Sequence, residues 1–322
     1  MIKAVVVHEV GGPNVMYLEE IEMPKPGPGE ALVRNHAVGL NYIDTYFRSG
    51  AYPTQLPFIP GSEAAGEVIE LGKGVKDIKV GDRVAYWANF GGYAEARAVP
   101  ARRLIKLPKS ISYETGAAML LKGLTAQYLL RQTHKVKKDE TILVHAAAGG
   151  VGLILCQWGK ALGAHVIGTA GSPEKAKLAK KAGAKQVILY REENFVEAVK
   201  KITKGKLCDV VYDGIGKDTF PASLDCLRPL GLLASYGSSS GPVENFNLGL
   251  LSQKGSLFVT RPSLNTYAAA DENLQKMARD LIRVVSDGVV KVPYTTHPLS
   301  DIVAAHEALE SRATTGSTVL IP

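Results

Sequence analysis

Residues 140–170, ETILVHAAAGGVGLILCQWGKALGAHVIGTA, constrain the fold of this chain more than any other segment. An apolar run, TILVH, passes through a small-residue turn into an amphipathic stretch, and a second apolar run, AHVIGTA, follows at the distance of a strand–helix–strand unit. In the G-x-G-x-x-G fingerprint the first position makes a tight turn, the second lets backbone approach a pyrophosphate, and the third lets helix pack on strand. Those slots hold Ala147, Gly149 and Gly152, with Gly150 and Val151 between them. Alanine in the first slot departs from the fingerprint but keeps the side chain small. Glycines alone mark ordinary turns. A strand before them and a helix after them turn this loop into a dinucleotide site, with the helix N-terminus offering free N–H groups and positive charge to the diphosphate.

The rest of the chain fits around that unit. Up to about residue 113 the sequence has short β-type runs, KAVVV, EALVRNHAV, AAGEVIEL and DRVAYW, separated by Pro and Gly punctuation, which predict a mainly-β, barrel-like domain. Helical periodicity then takes over, and TILVH, AHVIGTA, KQVILY, CDVVYDG, LGLLASYG and SLFVT alternate with helical stretches. Six such runs predict an α/β architecture with a doubly wound parallel sheet. Two helices, DENLQKMARDLIRVVSDG and DIVAAHEALESR, and a closing run STVLIP complete the chain.

Composition limits the function classes. The chain has 322 residues, 46% hydrophobic and 21% charged, which matches a globular protein of two domains. No apolar run reaches bilayer-spanning length and no signal peptide is read at the N-terminus, so a cytoplasmic protein is expected. Cys156, Cys208 and Cys226 are too few and too scattered for a disulfide framework or a metal knuckle, and read as buried free thiols. The formal charge of +7 comes from lysines spread along amphipathic stretches such as EKAKLAKKAGAK, the pattern of solvated helix faces. A modest excess of base also suits an anionic cofactor.

GTAGSPEK, residues 168–175, identifies that cofactor. An acid at the end of the second strand would hydrogen-bond a ribose 2′-OH and repel a 2′-phosphate. Here Gly171 and Ser172 occupy that place and Lys175 adds a cation, so the sequence points to NADPH. Tyr190, at the end of the third strand, is expected at the same adenosine end. Ser172 followed by Pro173 also spells an ordinary helix start, and the two roles are compatible.

NYIDTYFRSGAYP, GSEAAGEV, LKGLTAQYLL, HAAAGGVGL, QKGSLFVTRPSL and AHEALESRATTGS together resemble the zinc-free quinone oxidoreductases, the zeta-crystallin branch of the medium-chain dehydrogenase/reductase superfamily. The resemblance covers essentially the whole chain. It implies a GroES-like domain from residues 1–123 and 262–322, a Rossmann NADPH-binding domain from residues 124–261, a cleft where they meet, and a homodimer joined near SLFVT. Where the superfamily's zinc enzymes place Cys and His ligands, this sequence has Asn41 and Ser62, neither of which suits Zn²⁺, so no catalytic metal is expected. By the same resemblance Asn41, Tyr46 and Tyr52 line the nicotinamide end as catalytic candidates, the two tyrosines in an aromatic-rich loop where packing is an equal reading. Thr125 and Tyr128 approach the nicotinamide and its ribose, Gly237, Ser238 and Ser239 lie along the cofactor, and Val259 and Thr260 lie beneath it. Arg312 reaches a phosphate or, alternatively, is a cation at a helix C-terminus.

The reading is an NADPH-dependent quinone reductase. An NADPH-dependent reductase of α,β-unsaturated carbonyls is the alternative, and a crystallin-like or RNA-binding protein a distant one, since no RNA-recognition motif is present.

Overall fold

The Val-rich opening forms β1 (Ile2–Val7), paired antiparallel with β2 (Met16–Ile21). In this computed structural model, which describes residues 1–322, the next strand is the long β3 (Glu30–Leu40), then helix α1 (Tyr42–Arg48) and β4 (Glu63–Leu71). β5 (Arg83–Trp87), β6 (Ala96–Pro100) and the two-residue β7 (Ile105–Lys106) follow. β3 pairs antiparallel with both β4 and β6, and β5 pairs with β4 and β7. Helix α2 (Tyr113–Tyr128) runs on into a π-helical turn, Leu129–Thr133.

All six expected parallel strands are present. They are β8 (Thr141–Val144), β9 (His165–Ala170), β10 (Gln186–Leu189), β11 (Cys208–Asp213), β12 (Leu227–Ser235) and β13 (Phe258–Thr260). Helices α3 (Gly150–Ala161), α4 (Pro173–Lys181), α5 (Phe195–Thr203) and the short α6 (Gly249–Gln253) connect them. Their order, β10-β9-β8-β11-β12-β13, reverses between β8 and β11. That reversal is where an open parallel sheet leaves a crevice at its carboxyl edge. Buried on both faces, such strands need continuous apolar runs, and Leu143, Ile167, Ile188, Val211 and Leu233 form their core.

After α7 (Leu264–Tyr267) and α8 (Asp271–Ser286), the chain closes with β14 (Tyr294–Pro298), α9 (Ile302–Glu310) and β15 (Ser317–Ile321). β15 pairs antiparallel with β3 and parallel with β14, so the C-terminus completes the seven-stranded sheet built on β3. Its core gathers Val5, Val33, Val38, Tyr86, Ile302 and Leu320 from both ends of the sequence. The chain therefore divides into a unit of Met1–Lys122, Ala270–Ser286 and Val292–Pro322, and a unit of Gly123–Ala269 and Asp287–Lys291. Residues 262–269 group with the second unit because α7 packs there, Tyr267 stacking on Tyr128, and residues 287–291 because the Lys291 N–H donates to Gln157.

Candidate functional site

In the second unit the candidate residues gather at the carboxyl ends of the parallel strands. β8 leaves the sheet at His145 and turns through Ala146, whose φ of +49° is the left-handed conformation. The strained position is Ala146 rather than Ala147. Ala147 is fully buried, and its backbone N–H donates to Thr169 O at 3.0 Å. Gly149 is the N-cap of α3 and has no side chain to cap it, so the first-turn amides of Gly150, Val151 and Gly152 keep their donors for an anion. Gly152 is obligatory: a Cβ there would lie 2.3 Å from the Ala146 carbonyl oxygen.

At the next strand, Ser172 caps α4, accepting from the Lys175 backbone N–H at 3.3 Å, with Pro173 in the first helical position. The Tyr190 hydroxyl stands over Gly171, 2.8 Å from where a Cβ would sit. A side chain in that place would therefore meet the tyrosine. Gly171, Ser172, Lys175 and Tyr190 thus form a corner with no acid at the strand end itself, the nearest carboxylate being Glu174 in the first turn of α4, which bonds Ser172.

On the other side of the switch point, a Cβ on Gly237 would lie 2.6 Å from the Gly214 carbonyl oxygen, and the Ser239 N–H donates to that oxygen at 3.2 Å. Ser238 accepts from Arg261 Nη2 at 3.0 Å while Nη1 of the same arginine donates to Ser235 O at 2.8 Å. Val259 and Thr260 lie on β13 in register with Leu233 and Ala234. Thr125 hydrogen-bonds Tyr128, whose ring stacks on Tyr267 at 4.5 Å and 4°. Burial raises the Tyr128 phenol pKa, so it stays protonated. Arg261 and Tyr267 escaped the sequence reading; Arg261 directly follows Thr260, and no local signal marks Tyr267.

In the first unit Asn41 sits at the start of α1 with its amide committed. Nδ2 donates to Glu63 Oε1 at 2.7 Å and to Gly39 O at 3.3 Å, and Oδ1 accepts from Lys122 Nζ at 2.7 Å. Lys122 also reaches Glu63 Oε1 and Leu40 O, each at 3.1 Å, while the Leu121 N–H donates to Glu63 Oε2 at 2.6 Å. Asn41 therefore has no free donor, and its side-chain oxygen serves both Lys122 and the capping box of α1. Tyr46 lies in helix α1 and not in the expected loop, because Asp44 accepts the Asn41 N–H at 2.9 Å and starts the helix there. Its ring lies 5.1 Å from that of the more exposed Tyr52. Arg312, φ +60°, occupies the left-handed position after α9 and donates its N–H to Leu309 O at 3.1 Å.

A buried polar chain joins α1 to α9. Asp44 accepts from Ser62 Oγ at 2.6 Å and Tyr93 Oη at 2.8 Å. Tyr93 Oη lies 3.1 Å from His306 Nε2, and Arg48 Nη1 lies 3.2 Å from His306 Nδ1. Because the tyrosine proton goes to Asp44 and the guanidinium can only donate, His306 carries its proton on Nε2. Arg48 ends the chain on Glu310 at 2.7 Å. Burial pushes the Asp44 carboxyl up to about 6, against the pull of its hydrogen bonds, and burial with the nearby Arg48 charge pushes His306 down to about 3.

An alcohol dehydrogenase GroES-like domain model matches residues 27–109, and a zinc-binding dehydrogenase model matches residues 150–282. The Pseudomonas aeruginosa quinone oxidoreductase is 51% identical over 100% of both chains. The chain belongs to the quinone oxidoreductase family. The crystal structure of Escherichia coli quinone oxidoreductase complexed with NADPH, 52% identical, superposes with a TM-score of 0.97 over 99% of this chain and 100% of that one. A Burkholderia 2-haloacrylate reductase is 44% identical over 100% of this chain and 99% of its own. Within this quinone oxidoreductase family member the donor set at Asn41 does not fit zinc. The Lys122 ammonium already stands against Glu63 and Asn41, and Ser62 is spent on Asp44. No group of three or more His, Cys, Asp or Glu side chains is placed to hold a metal, and no helix is long and apolar enough to cross a membrane.

Proposed function

We propose that this chain is an NADPH-dependent quinone reductase. The observation that carries the cofactor assignment is the absence of an acid at the end of β9, where Gly171 and Ser172 stand with Lys175 and Tyr190 beside them, next to an uncapped α3 N-terminus. NADPH, when bound, supplies a hydride equivalent for an electron-poor acceptor. The amides of Gly150, Val151 and Gly152 hold its diphosphate, Gly149 admits it closely while its own N–H closes the turn onto Ala146, and Lys175 and Ser172 hold its 2′-phosphate beside Tyr190. Gly237, Ser238 and Ser239 admit it closely, Val259, Thr260, Thr125 and Tyr128 shape the nicotinamide end, and Arg312 supplies a further cation for a phosphate. Asn41, its amide held by Lys122 and Glu63, lines the nicotinamide end, and Tyr46 and Tyr52 offer hydroxyl protons to a reduced oxygen. Full-length identity of half or more to named quinone oxidoreductases supports quinone as the acceptor class.

The 2-haloacrylate reductase relative favours a second reading, reduction of activated alkenes. Following NADPH and NADH oxidation with a panel of quinones and enones separates the two. NADPH-selective turnover of quinones is expected; turnover of enones alone replaces the first reading by the second. β13 is an edge strand whose Phe258 is 59% exposed, which supports a homodimer formed at that edge, checked by light scattering. The three buried free thiols support a reducing, cytoplasmic setting.

A further inference from the structure

The turn at Ala146 presents a problem that the local sequence does not solve. A non-glycine residue in the left-handed region is strained, and it persists only where the surroundings over-determine it. Here it lies three residues before the cap of α3, and its carbonyl oxygen accepts from the Gly149 N–H at 2.9 Å and faces Gly152. Any relaxation of Ala146 therefore moves the loop.

Two buried side chains surround this turn. The Ala146 N–H donates to Thr169 Oγ1 at 3.3 Å, and Thr169 Oγ1 lies 3.1 Å from His145 Nδ1. His145 Nε2 lies 3.0 Å from Ser223 Oγ, which donates to Thr219 O at 3.0 Å, and Thr219 Oγ1 donates to Asp213 Oδ2 at 2.7 Å. Because Ser223 spends its proton on Thr219 O, His145 donates from Nε2 and accepts the Thr169 hydroxyl proton at Nδ1. Asp213 closes the far end by accepting from the Ile215 and Gly216 amides at 2.7 and 3.2 Å. His145, Thr169, Ser223 and Asp213 are all essentially excluded from solvent. Burial lowers the His145 pKa, which keeps the ring neutral and able to accept at Nδ1.

We propose that Thr169 and His145 are positioning residues, which hold Ala146 in its left-handed conformation and so fix the glycine-rich loop in the shape an anionic diphosphate requires. The same chain runs on to the β11 loop, so one buried network sets the loops on both sides of the switch point. The inference rests on the NADPH reading above.

The test is a set of Kd measurements by fluorescence titration with NADPH on the full chain. Thr169→Val should weaken binding about tenfold, because the left-handed alanine then relaxes in the free protein. Thr169→Ser, which keeps the hydroxyl, should bind within about twofold of the parent. The decisive variant adds Ala146→Gly to Thr169→Val: glycine adopts this φ unaided, and most of the lost affinity should return. Unchanged binding by Thr169→Val, or a double variant as weak as the single one, overturns the proposal. Amide hydrogen exchange in the free protein provides a readout independent of cofactor. Exchange across residues 145–152 should be at least about tenfold faster in Thr169→Val, and equal rates overturn the positioning role. Failure of the parent protein to bind NADPH would instead sink the functional reading and leave the exchange result to decide this one.

Discussion

At the scale of single residues, the site depends on side chains that are absent as much as on those present. Gly171 leaves room beneath Tyr190, and Lys175 lies one turn into the helix that Ser172 caps. Replacing Lys175 with Glu should raise the KM for NADPH at least tenfold and hardly change that for NADH; equal losses in steady-state assays would remove its phosphate role. Gly152→Ala forces a Cβ to within 2.3 Å of a backbone oxygen, which no rotamer can relieve. It should cost about 1–3 kcal/mol in urea unfolding and abolish saturable NADPH binding. Lys122 is a different case, a cation 9% exposed beside a carboxylate that sees no solvent. Lys122→Met strands that charge, and a loss of about 3–5 kcal/mol is expected by the same measurement. A Glu63→Gln change added to it should recover part of the loss.

At the scale of elements, helices α1 and α9 are joined by two groups with opposed titrations. Asp44 binds its proton more tightly folded than unfolded, so its contribution to stability falls as pH rises from 3.8 to about 6. His306 is held neutral when folded, so its contribution rises as pH climbs from about 3 to 6.5. Within the shared window the slopes cancel. Unfolding free energies measured at pH 4 and pH 6 should expose each one in turn. Relative to the parent, Asp44→Asn should gain on the order of 3 kcal/mol across that window, and His306→Gln should lose a similar amount. Identical pH profiles in all three proteins would mean that neither group titrates as its burial dictates.

At the scale of the whole molecule, cofactor binding and folding are linked. NADPH at a hundred times its Kd should stabilise the chain by about 2.7 kcal/mol, read as a rise in Tm, and NADH at the same concentration should give less. Equal stabilisation by both would contradict the corner at Gly171. The sequence by itself determined the six parallel strands, because strands buried on both faces must be continuous apolar runs, and it determined the glycine-rich loop, because backbone packing there admits no side chain. It also determined the missing acid, which is a matter of one residue's identity after one strand. Only the tertiary structure decided that Ala146 and not Ala147 takes the strained turn, that Tyr46 is helical, and that Asn41 is committed to Lys122 and Glu63. It alone joined Asp44 to His306 through Tyr93 and Thr169 to Ser223 through His145. Periodicity and local spacing report which face of an element is buried. The partner of a buried polar group is set by which distant elements the fold brings together, and hydrogen-bond satisfaction then fixes the pairing.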